Sequence, residues 1–265
     1  MIDFSVCIEL AFTEGDRSLP DRVRAASDAG FPAVEIWAWQ DKPLREMQQA
    51  LGETRTSLHT LCVEDWRDKC QLGDPQSHPL FIERVTQTAR VAADLGTKKL
   101  VVLAGDLVPN HTLVVQREAA AEALLRASDA IAGTGLELLL EVVNRAFEGP
   151  NALIADTANA VALLRAVDRP NVRMVYDRYH AILNGEPLGW AVGGNMDLVS
   201  HVQVADIPGR HEFGTGTHDW VAELAWLTEA GYDGLIGIEA SPLGASASMH
   251  NGALAQLAAV AGRPQ

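Results

Sequence analysis

LELLLEVVNRAFEGPNALIADTANAVALLRAVDRPNVRMVYD, residues 136–177, holds one complete repeat of the chain's architecture. LELLLEVV at 136–143 is a short apolar run of strand length, residues 157–166 carry apolar positions at helical spacing, and VRMVYD at 172–177 is the next strand. TGL at 134–136 sets a glycine between the preceding helical stretch and the first of these strands, where a left-handed residue stops a helix. Working outward, the same alternation runs along the whole chain. Strand candidates are FSVCIE at 4–9, AVEIWAW at 33–39, RTSLHTLCV at 55–63, KLVVLA at 99–104, HVQVAD at 201–206 and LIGIEA at 235–240. Helical periodicity occupies 19–29, 43–51, 79–95, 112–132, 187–196, 219–230 and 249–261. AGF at 29–31, LGT at 95–97 and AGY at 230–232 repeat the glycine stop. Eight strands, each followed by a helix, predict an α/β fold of the (β/α)8 TIM-barrel type. A doubly wound open sheet has the same alternation, but no G-x-G-x-x-G follows the first strand and eight units exceed its usual six. No linker or low-complexity tract divides the chain, so residues 1–265 read as a single domain.

Composition narrows the function. The 265 residues include 35 Asp+Glu against 21 Lys+Arg, a net charge of −14, with pI near 4.9. That balance argues against nucleic-acid partners and anionic membrane surfaces, both of which need a basic face. With 48% apolar residues the chain can build a large core, and its composition is not that of a disordered, collagenous or disulfide-scaffold protein. Cys7, Cys62 and Cys70 leave an odd thiol and show no metal-knuckle spacing, so reduced thiols are expected. The start MIDFSVCIEL has no basic segment before its apolar run, and no run reaches the roughly 18 residues of a membrane span. A cytoplasmic, soluble protein is the expectation.

Strands of a barrel are buried on both faces, so ionisable groups at their ends are informative. Glu141 closes strand five, Asp177 closes strand six, Gln203 lies in strand seven and Glu239 closes strand eight, at spacings of 36, 26 and 36 residues. Successive units thus present four oxygen-bearing side chains at the C-terminal rim, where barrel active sites lie. Three carboxylates gathered without a cation repel each other. A hard divalent ion removes the conflict, and an all-oxygen set suits Mg²⁺ or Mn²⁺, or Co²⁺ with waters completing the shell, better than Zn²⁺. His180, three residues past Asp177, can donate to a substrate oxygen from its loop. His59, at the end of strand three, is a candidate for lining the pocket, and Arg210, in the 206–216 loop, can bind an anionic or hydroxylated substrate. His78, His111, His218 and His250 read as loop or helix surface, and Trp37, Trp39 and Trp66 follow strand ends where they could wall a sugar site.

FSVCIELAFTE at 4–14, AGFPAVEIWAWQDK at 29–42, a strand-five Glu followed by Asn144, D-x-Y-H at 177–180 and HVQVADIPGRHEFGTG at 201–216 together resemble the hydroxypyruvate isomerase family. More broadly, they resemble the xylose isomerase-like barrels that include ketose 3-epimerases. The likeness runs from strand one to strand eight, and its most specific part is the PGRHEFGTG segment at 208–216 with Gln203, where the sugar epimerases usually carry His, before it. The resemblance implies a divalent metal held by Glu141, Asp177, Gln203 and Glu239, with Glu141 and Glu239 doubling as the acid/base pair. It implies that His180 and Arg210 bind substrate oxygens, with Asn144 beside them. Val142 replaces the Pro of the family's E-P-x-N, the run Asn144-Arg145-Ala146-Phe147-Glu148 resembles the epimerases' N-R-x-E with one extra residue, and Thr217 stands where a Glu is common. These departures bear on the substrate rather than on the metal.

The chemistry expected is a 1,2-proton shift through an enediolate, turning a ketose or keto acid such as hydroxypyruvate into its aldehyde isomer without a nucleotide cofactor. The partner is then a small sugar or hydroxy-keto acid, with pairing of chains into a homo-oligomer as the default. Alternatives are a ketose 3-epimerase, a metal-dependent lyase on oxidised sugars and a non-catalytic sugar-binding barrel. A nuclease of the apurinic-site kind would need more strand-end histidines and a basic groove.

Overall fold

The computed structural model describes residues 2–261. Among them the strands are β1 (Asp3–Cys7), β2 (Ala33–Ala38), β3 (Ser57–Cys62), β4 (Lys99–Leu103), β5 (Glu137–Glu141), β6 (Val172–Asp177), β7 (Val199–Val204) and β8 (Leu235–Ile238). They alternate with α1 (Leu19–Asp28), α2 (Leu44–Glu53), α3 (His78–Leu95), α4 (Leu113–Ala130), α5 (Thr157–Val167), α6 (Arg178–Leu183), α7 (Trp220–Glu229) and α8 (Met249–Ala261). The strand order is β1 to β8 in sequence, closed on itself. This is the (β/α)8 TIM-barrel arrangement.

The chain groups into two compact units. One comprises Met1–Ile36, Lys42–His59 and His201–Gln265, and the other Trp37–Asp41 and Thr60–Ser200. Within the first, β1 pairs in parallel with β2 and β8, and β8 with β7, which sets Ser5 opposite Gly237 and Gly237 opposite Gln203. Within the second, β3, β4, β5 and β6 pair in parallel, with Leu103 opposite Glu141 and Glu141 opposite Val175. Val101, Leu139 and Val175 from three of these strands pack on one another. That is why the strand sequences read as continuous apolar runs rather than alternating ones.

Local signals start and stop the helices where their chemistry requires. Ser18, Thr112, Asp156, Asp177 and Asp219 each accept a backbone N–H of the first helical turn that has no partner within the helix. Gly96 ends α3 in the left-handed region with φ 77°.

One expected helix is absent. Residues 187–196 form turns, and the helix of this unit is instead the short α6 directly after β6. Ala191 and Gly189 take φ values of 57° and 70°, which no α-helix accommodates. The Asp177 cap starts α6 earlier, by accepting the His180 amide at 3.2 Å.

Two histidines expected at the surface are core residues. His78 is buried at the start of α3 with Nε2 3.0 Å from the Leu72 carbonyl. His250 is buried against the Phe31 ring with Nε2 3.1 Å from Asp3. His218 is pinned to the buried Glu223 at 2.7 Å, and His111 is exposed as expected. Trp39 donates its indole N–H to Thr88 on α3 at 2.8 Å, so it serves helix packing, while Trp66 is 55% exposed. Cys7, Cys62 and Cys70 are free thiols. Burial, then the neighbouring Glu64, pushes the Cys70 thiol up to about 12. No helix among the described residues is long and apolar enough to cross a membrane.

Glu186 shows how a local need is met at a cost. Its carboxylate accepts the Thr157 amide at 3.0 Å at the start of α5. Burial raises its pKa above the ordinary 4.5, helped by the nearby Asp156. A carboxyl raised on folding binds more protons in the folded state, so stability falls as pH rises from about the unfolded value through the folded one. Glu186→Gln keeps the acceptor and removes the buried charge. The variant is therefore expected to be at least as stable as the wild type at pH 7, with the gap closing below pH 4.5, as read from thermal melts across pH.

Candidate active site

Glu141 and Asp177 are the last residues of the paired strands β5 and β6, so both carboxylates leave the same end of one strand pair. His180 follows on α6. One ligating atom from each of Glu141, Asp177 and His180 lies within 4.8 Å of the others. His180 Nε2 stands 3.7 Å from Glu141 Oε1 and 3.7 Å from Asp177 Oδ2. Its Nδ1 accepts the backbone N–H of Asn144 at 3.2 Å and the Asn144 side-chain amide at 2.8 Å. An Nδ1 that accepts leaves the neutral ring's proton on Nε2. The buried His180 therefore aims an N–H donor at the carboxylates, and the lone pairs available to a cation come from Glu141 and Asp177. Asn144 is itself held by Glu148, which accepts from the Asn144 amide and from Tyr179 Oη.

The second group of predicted residues sits on β7, β8 and the 206–216 loop. Gln203 faces Gly237 across the β7–β8 pair, and Glu239 directly follows β8, its backbone N–H donating to the Val204 carbonyl at 3.0 Å. Gln203 is 6% exposed. Its Nε2 donates to Glu35 Oε2 at 2.9 Å, while its Oε1 has no hydrogen-bond partner among the described residues. Glu35 Oε1 accepts from Ser5 Oγ at 2.5 Å and from His201 Nε2 at 2.8 Å. His201 packs edge-on to the His59 ring at 4.7 Å between centroids. Burial by itself would raise the Glu35 carboxyl. The His201 charge and hydrogen bond, with His59 and Ser5, outweigh it and hold the group well below the usual carboxylate range. Burial also lifts the neighbouring Cys7 thiol, reinforced by Glu239, Glu9 and Glu35.

Arg210 forks onto Glu239, with Nη2 at 2.9 Å from Oε2 and Nε at 3.4 Å from the backbone carbonyl. The loop that carries it is tied by buried Asp206, whose carboxylate accepts the amides of Ile207, Gly214 and Gly216 at 2.8, 2.9 and 2.9 Å. A Cβ on Gly216 would lie 2.0 Å from the Ile207 carbonyl oxygen, so this position admits glycine alone.

These donors fit a hard divalent cation: two carboxylates converge on one point, and a buried amide oxygen elsewhere has no hydrogen-bond partner among the described residues. A model for the xylose isomerase-like TIM barrel matches residues 23–256. The chain belongs to this family. It is 33% identical over 256 residues, 90% of each chain, to the Streptomyces coelicolor protein named "Putative hydroxypyruvate isomerase". It is 27% identical over 251 residues, 91% of this chain and 94% of the other, to the hydroxypyruvate isomerase of Escherichia coli. Among solved structures, AP endonuclease, family 2, from Brucella melitensis superposes with a TM-score of 0.86 at 25% identity, covering 94% of this chain and 96% of that one. The chain is an enzyme of the isomerase class within the hydroxypyruvate isomerase family.

In this xylose isomerase-like barrel the structure brings Glu141, Asp177, His180 and Asn144 together in one unit, and in the other places His59 on β3, Gln203 on β7, Glu239 directly after β8 and Arg210 on a loop. His59 lies in mid-strand rather than at the end of β3, and touches His201. The sequence reading passed over Glu35, His201 and Asp206. The signal for Glu35 was present: a carboxylate in the middle of AVEIWAW is expensive to bury and implies a partner. What the sequence lacked was any indication that the partner stands 166 residues away.

Proposed function

We propose that this chain is a divalent-metal-dependent isomerase of small hydroxy-keto acids, converting hydroxypyruvate to tartronate semialdehyde through an enediolate. The observation that supports this most directly is the pair of carboxylates, Glu141 and Asp177, set 3.7 Å from the Nε2–H of His180. In this reading Glu141, Asp177, Gln203 and Glu239 are the metal ligands, and Mg²⁺ or Mn²⁺ suits their oxygens. The ion, when bound, stabilises negative charge developing on the substrate's carbonyl and hydroxyl oxygens.

The remaining chemistry belongs to the side chains. One of Glu141 and Glu239 removes the C3 proton, the C3–H electron pair becomes the C2–C3 double bond, and the carbonyl pair moves onto O2. The other glutamate returns a proton to C2 while the O3 proton is lost and the C3 carbonyl forms. Across the whole reaction one hydrogen moves from carbon to carbon and one from oxygen to oxygen. His180, fixed by Asn144 as an Nε2–H donor, hydrogen-bonds a substrate oxygen. Arg210 orients Glu239 and offers its remaining N–H groups to the substrate carboxylate.

A second reading, epimerisation at C3 of a ketose, is favoured by Glu148. This acid is held by Asn144 and Tyr179 at the end of the run that resembles the epimerases' N-R-x-E. Incubation in D₂O with Mn²⁺ or Mg²⁺ and hydroxypyruvate, tetronates, ketopentoses or ketohexoses distinguishes the two. Deuterium at C2 of tartronate semialdehyde is the expected result. Label confined to C3 of a ketose with no carbonyl migration would replace it with the epimerase reading, and no label in any substrate would overturn both.

A further inference from the structure

Gln203 is the one proposed ligand whose two terminal atoms differ, one being a donor and the other an acceptor. Only the carbonyl oxygen can hold a cation, so something must decide which way the buried amide points. Glu35 is placed to decide it. As an ionised carboxylate it can only accept, and its Oε2 lies 2.9 Å from Gln203 Nε2. Glu35 in turn is held from the far side: Ser5 and His201 both donate to Oε1. The fold keeps room for this arrangement. A Cβ at position 237 would stand 2.2 Å from Glu35 Oε1 and 2.8 Å from His201 Nε2, although the Gly237 backbone lies outside the left-handed region. Gly237 is thus a matter of space rather than conformation. The consequence is visible at Oε1 of Gln203, which is buried and without a hydrogen-bond partner among the described residues.

We propose that Glu35, braced by Ser5 and His201, is a positioning residue that locks the Gln203 amide with its oxygen turned out as a cation ligand. This rests on the reading of Gln203 as a metal ligand. It makes a specific demand on substitutions at position 35. In Glu35→Gln, Ser5 and His201 still donate to an oxygen at the Oε1 position, which turns the new NH₂ toward Gln203. Gln203 must then accept with its own oxygen and present an NH₂ group where the ligand should be. In the exchange variant Glu35→Gln/Gln203→Glu, residue 35 donates, residue 203 accepts with one carboxylate oxygen, and the other oxygen is again free for the ion.

The test is Mn²⁺ binding to metal-stripped protein, measured by the electron-paramagnetic signal of free Mn²⁺, with circular dichroism as the fold control. Glu35→Gln is expected to weaken Mn²⁺ binding by about tenfold or more, the range typical of outer-shell changes. Gln203→Ala is expected to weaken it comparably, and the exchange variant to recover affinity over Glu35→Gln. If Gln203→Ala binds like wild type, the ligand reading itself fails. If Gln203→Ala is weakened while Glu35→Gln is not, or if the exchange variant recovers nothing, the positioning role is overturned and the ligand reading stands. A measurement on the wild type alone covers a variant that does not fold. The Gln203 side-chain ¹⁵NH₂ resonance, identified by its loss in Gln203→Ala, is expected to exchange slowly with solvent even without metal. Rapid exchange there would overturn the lock.

Discussion

Glu239→Gln is expected to lower kcat by about three orders of magnitude at saturating Mn²⁺, within the range supplied by general acid–base groups, while leaving the melting temperature near that of the wild type. The amide is the same size, it can still accept from Arg210, which lies 2.9 Å from the native carboxylate, and its oxygen remains a neutral ligand. What it cannot do is take a proton from carbon or give one back. Measuring at saturating Mn²⁺ separates this loss from a loss of metal, and a circular dichroism spectrum separates it from unfolding. Turnover within a factor of a few of wild type would remove Glu239 from the acid/base pair.

Asp177→Asn is expected to weaken Mn²⁺ binding beyond the roughly 10- to 100-fold seen for outer-shell changes, with almost no effect on stability. The separation is possible because the capping role of Asp177 and its proposed ligand role have different chemical requirements. As the cap of α6 it accepts the His180 amide at 3.2 Å, and Asn caps as well as Asp. As a ligand, in the proposed site, it would supply negative charge, which Asn lacks. Asp177→Ala is expected to fail at both, adding a loss of about 1 kcal/mol for the missing cap and releasing His180 from its position. Calorimetric titration with Mn²⁺ alongside thermal melts reads the two effects independently. If Asp177→Asn binds Mn²⁺ with wild-type affinity, the β6 carboxylate is a cap alone.

The chain's sequence determined its architecture by itself, because strand and helix periods and glycine stops are local properties. LELLLE, VRMVYD and the glycines before β2, β4, β5 and β8 carry that information within a few residues. The positions of residues 141, 177, 203 and 239 at or near strand ends were legible for the same reason: their spacing of about one βα unit is a property of the chain. The 187–196 segment misled because its apolar spacing is helical while its glycines and the Asp177 cap favour turns and an earlier start.

Only the tertiary structure decided which partner each polar group has. Whether His180 donates or ligates is set by the backbone amide of Asn144, 36 residues away. Which end of Gln203 is free is set by Glu35, 168 residues away, and Arg210 is known to face Glu239 only because the loop tied by Asp206 turns it there. Proton positions and amide orientations follow from whichever group lies within hydrogen-bond reach. That proximity is created when distant strands pair, and no local pattern of residues encodes it.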